Sequence, residues 1–263
     1  MDEPITMRPS RVLGKLRTGE LAVCFKANLA DARVVEIAGI AGFDCLWTDM
    51  EHIANDWSVI ERQIWAGKIY NMDVMVRVAR GSYSDHVKPL ELDAAGIMVP
   101  HVMSLADAQH VVRMTRFHPL GRRPVDGGNA DGSYCNLDFM QYLRQANEQR
   151  FVCIQIEDPE PLAELDEIVA LPGIDMVFFG PADFSQGIGA PGRFDHPEIA
   201  ATRRRIAAAC VRHGKYAGTV GSLGNLDDLV QMGYRFISIG ADVVGLSEYC
   251  KSITAASRQK ATA

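Results

Sequence analysis

Short apolar segments alternate along this chain with longer segments in which apolar residues recur at three- and four-residue spacing. The apolar segments are nearly continuous, which is typical of strands in a parallel sheet that is covered on both faces. The recurring spacing predicts amphipathic helices between them. The predicted strands are LAVCFKA, FDCLWTDME, DVMVRVA, GIMVPHV, FVCIQIED, IDMVFFG, YAGTVG and FISIGAD. About eight strand–helix pairs result, the number that closes an α/β TIM barrel, (β/α)8.

A doubly wound open sheet is the alternative fold for this pattern. Such a sheet often has a Gly-rich phosphate-binding turn after its first strand. The sequence at that place is KANLADA, which is no such turn. No linker or change of composition divides the chain, so we predict that residues 1–263 form a single (β/α)8 barrel domain. We also expect one extra helix before the first strand.

Two connections are unusually long, and long ordered loops in small domains tend to carry function. Residues 118–150 form an insertion before the fifth strand. Because this insertion follows a helix, it should start at the end of the barrel opposite the carboxyl ends of the strands and reach toward a neighbouring subunit. Residues 181–197 follow the sixth strand directly, so we expect them at the functional end.

Composition and charge narrow the function classes. The chain is 48% hydrophobic and 23% charged, its formal net charge is −6, and it has no basic stripe of the kind that binds nucleic acid. No apolar run is long enough to span a bilayer, and the first residues lack the apolar core of a signal peptide. We therefore expect a cytoplasmic protein without membrane contact. The six cysteines have no metal-ligand spacing, which fits a reducing compartment.

Polar residues at the ends of the predicted strands are the candidates for chemistry, because barrel enzymes work at the carboxyl ends of their strands. Alternation along the fifth strand sets Gln155 and Glu157 on one side, and Asp183 follows the sixth strand. A buried carboxylate needs a cation, and two carboxylates with open positions for water suit Mg²⁺ or Mn²⁺ better than zinc. Glu157 and Asp183 are therefore the candidate metal ligands.

Two further strand ends carry ionisable groups whose roles stay open. Arg77 lies in the middle of an apolar strand and either forms a structural ion pair, for example with Glu51, or holds an anionic substrate oxygen. Asp49 could orient the ring of His52 for general base catalysis. The alternatives are that a loop carbonyl satisfies His52, or that His101, which also follows a strand, is the base.

The residues at these strand ends, in this order, resemble one known family. The motifs are AGFDCLWTDMEHIANDW, VRVARGS, GIMVPHV, VCIQIEDPEPLAELDEIVALPGIDMVFFGPADFSQGIG, HPEI and FISIGAD. They are similar to those of the HpcH/HpaI aldolases, class II metal-dependent pyruvate aldolases of the phosphoenolpyruvate/pyruvate barrel superfamily. The resemblance covers nearly the whole chain. It implies a carbon–carbon lyase that reversibly cleaves a 4-hydroxy-2-oxo acid to pyruvate and an aldehyde through a metal-stabilised enolate.

The resemblance also implies roles for individual residues. Glu157 and Asp183 would bind a divalent cation, Mg²⁺ or Mn²⁺ with Co²⁺ as a further candidate, and no organic cofactor is expected. Arg77 would contact the 2-oxo oxygen, and His52 supported by Asp49 would transfer the proton.

The remaining implications concern substrate binding and assembly. Gln155 would support the site, and the backbone around Gly180, Ala182 and Asp183 would receive the pyruvate carboxylate. The family is typically a homohexamer, built as a trimer of dimers.

The chain departs from the family pattern at several places. Met50 stands in DMEH where a Gly is usual, and GRRP replaces a GERG-like stretch in the region that shapes the acceptor side, so the identity of the aldehyde does not transfer. Lys26 and Val220 form a candidate acceptor pocket for an acidic aldehyde, and a salt-bridged Lys26 is the structural alternative.

Three rival functions remain open from the sequence. One is an oxaloacetate decarboxylase or a decarboxylating condensation enzyme that uses the same enolate. Another is a Schiff-base aldolase acting through Lys26. The last is a barrel without catalytic activity, retained for ligand binding or assembly.

Overall fold

Eight parallel strands close into a barrel in the computed structural model, which describes residues 5–261. Each strand pairs with its neighbours in chain order, and β8 pairs with β1. This confirms the predicted TIM barrel. The strands are β1 Ala22–Lys26, β2 Cys45–Asp49, β3 Asp73–Arg77, β4 Gly96–Val99, β5 Phe151–Ile156, β6 Met176–Phe179, β7 Tyr216–Gly221 and β8 Tyr234–Ala241.

Helices surround the barrel, and the expected extra helix precedes the first strand. Two helices lie in segments that were predicted only as long connections: one within residues 118–150 and one directly after β6. The helices are α1 Arg11–Arg17, α2 Ala32–Ile40, α3 Trp57–Ile69, α4 Tyr83–Glu91, α5 Leu105–Thr115, α6 Phe139–Gln149, α7 Leu165–Ala170, α8 Pro181–Gly187, α9 Pro197–Arg212, α10 Leu226–Met232 and α11 Asp242–Ala261.

The barrel interior is filled by side chains that alternate with those facing the helices. Below the mouth this interior is an apolar cluster that includes Cys45 and has Trp47 and Phe178 at its top, with α1 packed beneath through Val12 and Leu16. Helix α1 therefore closes the amino-terminal end of the barrel. Polar chemistry is left to the opposite end, where the strands finish.

Hydrogen bonds and an ion pair below the strands hold α1 and the insertion in place. Asp73 at the start of β3 accepts hydrogen bonds from Ser10 Oγ and from the Val12 backbone N–H at 2.6 and 2.9 Å. Within the insertion, Arg123 and Asp131 form a buried ion pair at 2.6 Å. These contacts lie at the end away from the strand carboxyl ends, where polar residues serve stability rather than catalysis.

The insertion starts at this lower end, as predicted. The backbone N–H of Met7 donates to Gln145 of α6 at 2.9 Å, and Arg17 in α1 donates to the Glu148 carbonyl at 2.5 Å. The Gly-rich residues 121–136 therefore do not line the mouth of their own barrel. That the insertion reaches a neighbouring subunit stays a prediction.

Helix α11 differs from the other helices because every residue from Val243 to Lys260 is exposed. Leu246, Tyr249 and Ile253 follow one another at three- and four-residue spacing, so they form one exposed apolar stripe. A mostly apolar cavity of about 580 Å³ lies between the start of α11 and helix α2. Among the described residues, no helix is both long and apolar enough to cross a bilayer.

Candidate active site

A cavity of about 440 Å³ opens at the carboxyl ends of the strands. Nearly all of the site residues predicted from the sequence line it or lie directly behind its wall. Strand alternation explains this, because every second residue of a barrel strand faces the interior, and the last of these residues on each strand lies at the mouth. The lining residues are Lys26, Trp47, His52, Arg77, Gln155, Phe178, Gly180, Pro181, Ala182, Asp183, Val220, Gly221, Ser238, Gly240 and Ala241.

Glu157 lies directly after β5 and is only 1% exposed. Its Oε1 accepts the backbone N–H of His101 at 2.9 Å, and its Oε2 accepts the side-chain amide of Gln155. A Cβ at Gly180 would lie 2.7 Å from Oε2, so only glycine leaves room for this carboxylate. Burial, then the nearby negative charges of Glu51 and Asp183, raise the pKa of Glu157 to about 7, against the effect of His101.

Asp183 stands in the first turn of α8 and lines the cavity. Its negative charge helps to raise the pKa of Glu157, so the two carboxylates act on each other across the mouth. Gln155 Oε1, a buried oxygen beside Glu157, has no hydrogen-bond partner within residues 5–261. Together these groups form an oxygen-rich set, and the cationic candidate nearest to Glu157 is the His101 ring, whose Nε2 lies 3.8 Å from Oε1.

A divalent cation fits this set of oxygens. No group of three or more His, Cys, Asp or Glu side chains suited to a metal occurs in the described chain, so a closed, zinc-type cage is absent there. Mg²⁺ and Mn²⁺ are usually bound by one or two carboxylates together with water and substrate. Burying Glu157 beside Asp183 and an unpartnered oxygen costs free energy, and a bound divalent ion would offset that cost.

Arg77 at the end of β3 is bound by two carboxylates and still lines the cavity. Its Nε donates to Asp49 at 3.0 Å, and its Nη2 also donates to Asp49. Its Nη1 lies 3.0 Å from Glu51. Burial alone would raise the pKa of Asp49, but hydrogen bonds and charge from Arg77 lower it to about 2. The expected ion pair between Arg77 and Glu51 is thus present, and a role of Arg77 in holding a substrate oxygen stays a prediction.

The expected hydrogen bond between Asp49 and the ring of His52 is not formed. Asp49 reaches His52 only through the backbone N–H, at 3.4 Å, because Arg77 and Lys26 occupy its carboxylate. The His52 side chain is 59% exposed, and its Nε2 lies 3.6 Å from Glu51. His52 lines the cavity, so it remains placed for proton transfer, with Glu51 rather than Asp49 as the nearer carboxylate.

His101, the rival candidate for the base, lies behind the Glu157 carboxylate. Its ring Nδ1 is 2.8 Å from Asp158, and its Nε2 is 3.6 Å from Glu51. Burial lowers the pKa of His101, but the hydrogen bond to Asp158 and the charges of Glu157 and Glu51 raise it overall. Its φ of 49° is in the left-handed region, and no strand pattern in the sequence could have revealed that.

Lys26 and Val220, the residues of the candidate acceptor pocket, both line the cavity. Lys26 Nζ lies 3.1 Å from Asp49 and 4.3 Å from the centre of the Trp47 ring. The salt-bridged alternative for Lys26 is therefore observed, and the same side chain lines the cavity. Sequence reasoning missed Trp47 and Ser238 as lining residues, although Trp47 stands two positions before Asp49 and so shares its face.

Comparison with known proteins agrees with this arrangement. A profile of the HpcH/HpaI aldolase/citrate lyase family matches residues 22–248. A hydroxypyruvate/pyruvate aldolase of Pseudomonas aeruginosa is 35% identical over 243 residues, which cover 92% of this chain and 89% of the relative. A 2-keto-3-deoxy-L-rhamnonate aldolase of Escherichia coli is 31% identical over 239 residues, covering 89% of this chain and 88% of the relative.

A solved structure shares the whole architecture. The HpcH/HpaI aldolase/citrate lyase family protein of Burkholderia cenocepacia J2315 superposes with a TM-score of 0.87 at 29% identity, covering 95% of this chain and 99% of that one. The fold, the matched residues and the relatives agree with the resemblance found in the motifs. The chain therefore belongs to the HpcH/HpaI aldolase/citrate lyase family and is an aldolase, a carbon–carbon lyase.

Proposed function

We propose that this aldolase reversibly cleaves a 4-hydroxy-2-oxo acid to pyruvate and an aldehyde, and that it requires Mg²⁺ or Mn²⁺ bound by Glu157 and Asp183. The observation that carries the proposal is the buried Glu157 carboxylate, which lies behind Gly180 and Gln155 of the cavity wall and is affected by the charge of Asp183, in a cavity that Arg77 lines. The aldolase names of the relatives support the pyruvate part of the reaction.

Substrate binding follows from the groups at the mouth. The first backbone N–H groups of α8, around Ala182 and Asp183, have no partner inside the helix and can receive the carboxylate of the 2-oxo acid. Gly180 leaves the space beside Glu157 that a side chain would fill. Arg77 supplies a fixed positive charge for the oxygen at C2.

In the cleavage direction, a base takes the proton of the 4-hydroxyl group, the C3–C4 bond breaks, and C4 leaves as the aldehyde. The electron pair of the broken bond becomes the enolate of pyruvate, which is protonated at C3. A bound divalent cation would supply Lewis-acid stabilisation of the negative charge that develops at the C2 oxygen. His52 lines the cavity and is the candidate that moves the proton, directly or through water.

Removal of the metal tests the proposal. Treatment with EDTA should abolish pyruvate release from 4-hydroxy-2-oxo acids, and Mg²⁺, Mn²⁺ or Co²⁺ should restore it. Oxaloacetate serves as the second substrate, because decarboxylation of oxaloacetate much faster than any aldol cleavage would make this chain a decarboxylase instead. Full aldolase activity after thorough chelation would reject metal dependence.

Replacing His52 by Ala should slow the exchange of the pyruvate methyl protons with solvent, because the group that moves the proton is lost. We expect a loss of about 10²- to 10⁴-fold, the usual contribution of general base catalysis. The measurement is the loss of the methyl ¹H NMR signal in D₂O. His110→Ala is the control, since His110 lies outside this cavity. Exchange at the normal rate would place the base elsewhere, with His101 as the next candidate.

We further propose that the chain forms a homo-oligomer in which α11 of one copy packs against a second copy. The apolar stripe of α11 supports this, and so does the open cavity between α11 and α2, which Leu246 and Tyr249 of the stripe line together with Val34 and Ile37. The stripe and the cavity thus form one open apolar surface on each copy, and a two-fold pair can cover both surfaces at once. Three such pairs would give the hexamer that the family resemblance implies.

Charge placed on the α11 stripe should break this contact. The double variant Leu246→Asp/Tyr249→Asp should run at a lower mass than the wild type in light scattering after gel filtration. Ala255→Asp, on the opposite side of the same helix, is the matched control and should leave the mass unchanged. An unchanged mass in the double variant would refute the α11 contact.

A further inference from the structure

One wall of the active-site cavity is not needed for pyruvate. Strand β1, which ends in Lys26, lies across the eight-stranded barrel from β5, which leads into Glu157. Val220 of β7 and Ser238 of β8 continue this wall. A 2-oxo acid bound at Glu157 and Asp183 would therefore leave the β1 side of the cavity for the second substrate.

Lys26 brings a positive charge to that wall and shares its carboxylate partner with a second cation. The ammonium has three N–H donors, and Asp49 accepts at 3.1 Å. Asp49 is shared, since Arg77 also donates to it. Burial and the neighbouring charge of Arg77 lower the pKa of Lys26 in spite of Asp49 and Glu51. An additional anion at this point would stabilise the protonated ammonium.

Trp47 supplies a second, independent sign of a ligand at the same wall. Its side chain is 4% exposed, lines the cavity and lies under the Lys26 ammonium. Its indole N–H is buried and finds no hydrogen-bond acceptor in the part of the chain that the structure describes. A buried donor without an acceptor is costly, and an oxygen of a bound ligand would satisfy it.

We infer that Lys26, with Trp47 beside it, binds an anionic group on the aldehyde acceptor, so that the preferred 4-hydroxy-2-oxo acids carry a second acidic group. This inference rests on the proposed aldolase function. The shared chemistry is an anion with several acceptor oxygens, either a carboxylate or a phosphate. Val220 lines the same cavity and offers an apolar contact for the short carbon chain between the aldehyde and the anion.

Matched aldehydes test this inference with pyruvate as the nucleophile. The carboxylate pair is 4-oxobutanoate against butanal, and the phosphate pair is glyceraldehyde 3-phosphate against glyceraldehyde. For at least one pair, kcat/KM for the anionic member should exceed that for the neutral member by about tenfold or more. Whichever pair shows the preference identifies the anion.

Substitutions then assign that preference to Lys26. Lys26→Met should lower the anionic-to-neutral ratio of kcat/KM by about tenfold or more, mainly through KM of the anionic aldehyde, and Lys26→Arg should restore part of it. Lys88→Met, at an exposed lysine on α4, is the control and should keep the ratio of the wild type. A purely structural Lys26 would lower both rates together and leave the ratio unchanged.

The exchange of pyruvate methyl protons separates this inference from the proposed function. Normal exchange in the wild type, combined with no preference for either anionic aldehyde or with an unchanged ratio in Lys26→Met, overturns the anion site and leaves the pyruvate chemistry standing. Absence of exchange in the metal-loaded wild type overturns the proposed function and the anion site with it.

Discussion

Glu157→Gln and Asp183→Asn should each reduce aldol cleavage by about a thousandfold or more, because several kcal/mol of transition-state stabilisation would be lost with the metal. Both substitutions keep the size of the side chain and remove its negative charge. The rate should fall together with the affinity for Mn²⁺, measured by titration calorimetry. Glu160→Gln, at an exposed carboxylate that follows β5, is the matched control and should behave as the wild type.

The fold of the Glu157→Gln variant should be intact without metal. Glu157 has its pKa raised from the ordinary value of 4.5 to about 7 in the folded protein. The free energy of unfolding therefore falls as the pH rises from 4.5 to about 7, and this loss stays constant at higher pH. The amide removes this cost. At pH 8 the metal-free variant should therefore melt at or above the temperature of the metal-free wild type. Retained Mn²⁺ affinity with a lost rate would contradict the role of Glu157 as a ligand.

Replacing Arg77 by Met should remove most of the activity and also destabilise the barrel. The side chain is 4% exposed and lies between Asp49 and Glu51, so its loss leaves two carboxylates without their cation. Removing one partner of a buried pair costs about 3–5 kcal/mol, which should appear as a lower midpoint in urea. Mn²⁺ should still bind, because neither proposed metal ligand contacts Arg77 in the hydrogen bonds and ion pairs of the described residues.

A double variant separates the two effects of Arg77. Asp49→Asn combined with Arg77→Met removes the buried charge together with its partner and should recover much of the stability. The activity should remain low, because the positive charge at the cavity is still missing. Recovery of the rate along with the stability would show that Arg77 acts on the fold alone.

Much of the site was predictable because strand geometry fixes it. The period of two sets Gln155 and Glu157 on one face, and the parallel closure brings Asp183 of the next βα unit beside them. The same rule would have assigned Trp47 to the mouth, since it shares a face with Asp49.

Side-chain partners at the ends of the strands were less predictable. The prediction that Asp49 bonds the ring of His52 was wrong, because sequence spacing gives proximity but not the choice between competing partners. Two cations of the neighbouring strands, Arg77 and Lys26, bind Asp49 instead. Helix α6 was missed because it lies beyond a Gly-rich segment that reads as a loop. Its amphipathic pattern begins only at Phe139.

The central claim is that Glu157 and Asp183 bind one divalent cation at the site of pyruvate chemistry. Anomalous diffraction from crystals soaked with Mn²⁺ and pyruvate tests it most directly. We expect one strong Mn²⁺ peak between these two carboxylates, in contact with pyruvate and across the cavity from Lys26. A map at saturating Mn²⁺ with no peak there, or with the ion and pyruvate bound elsewhere, would contradict it.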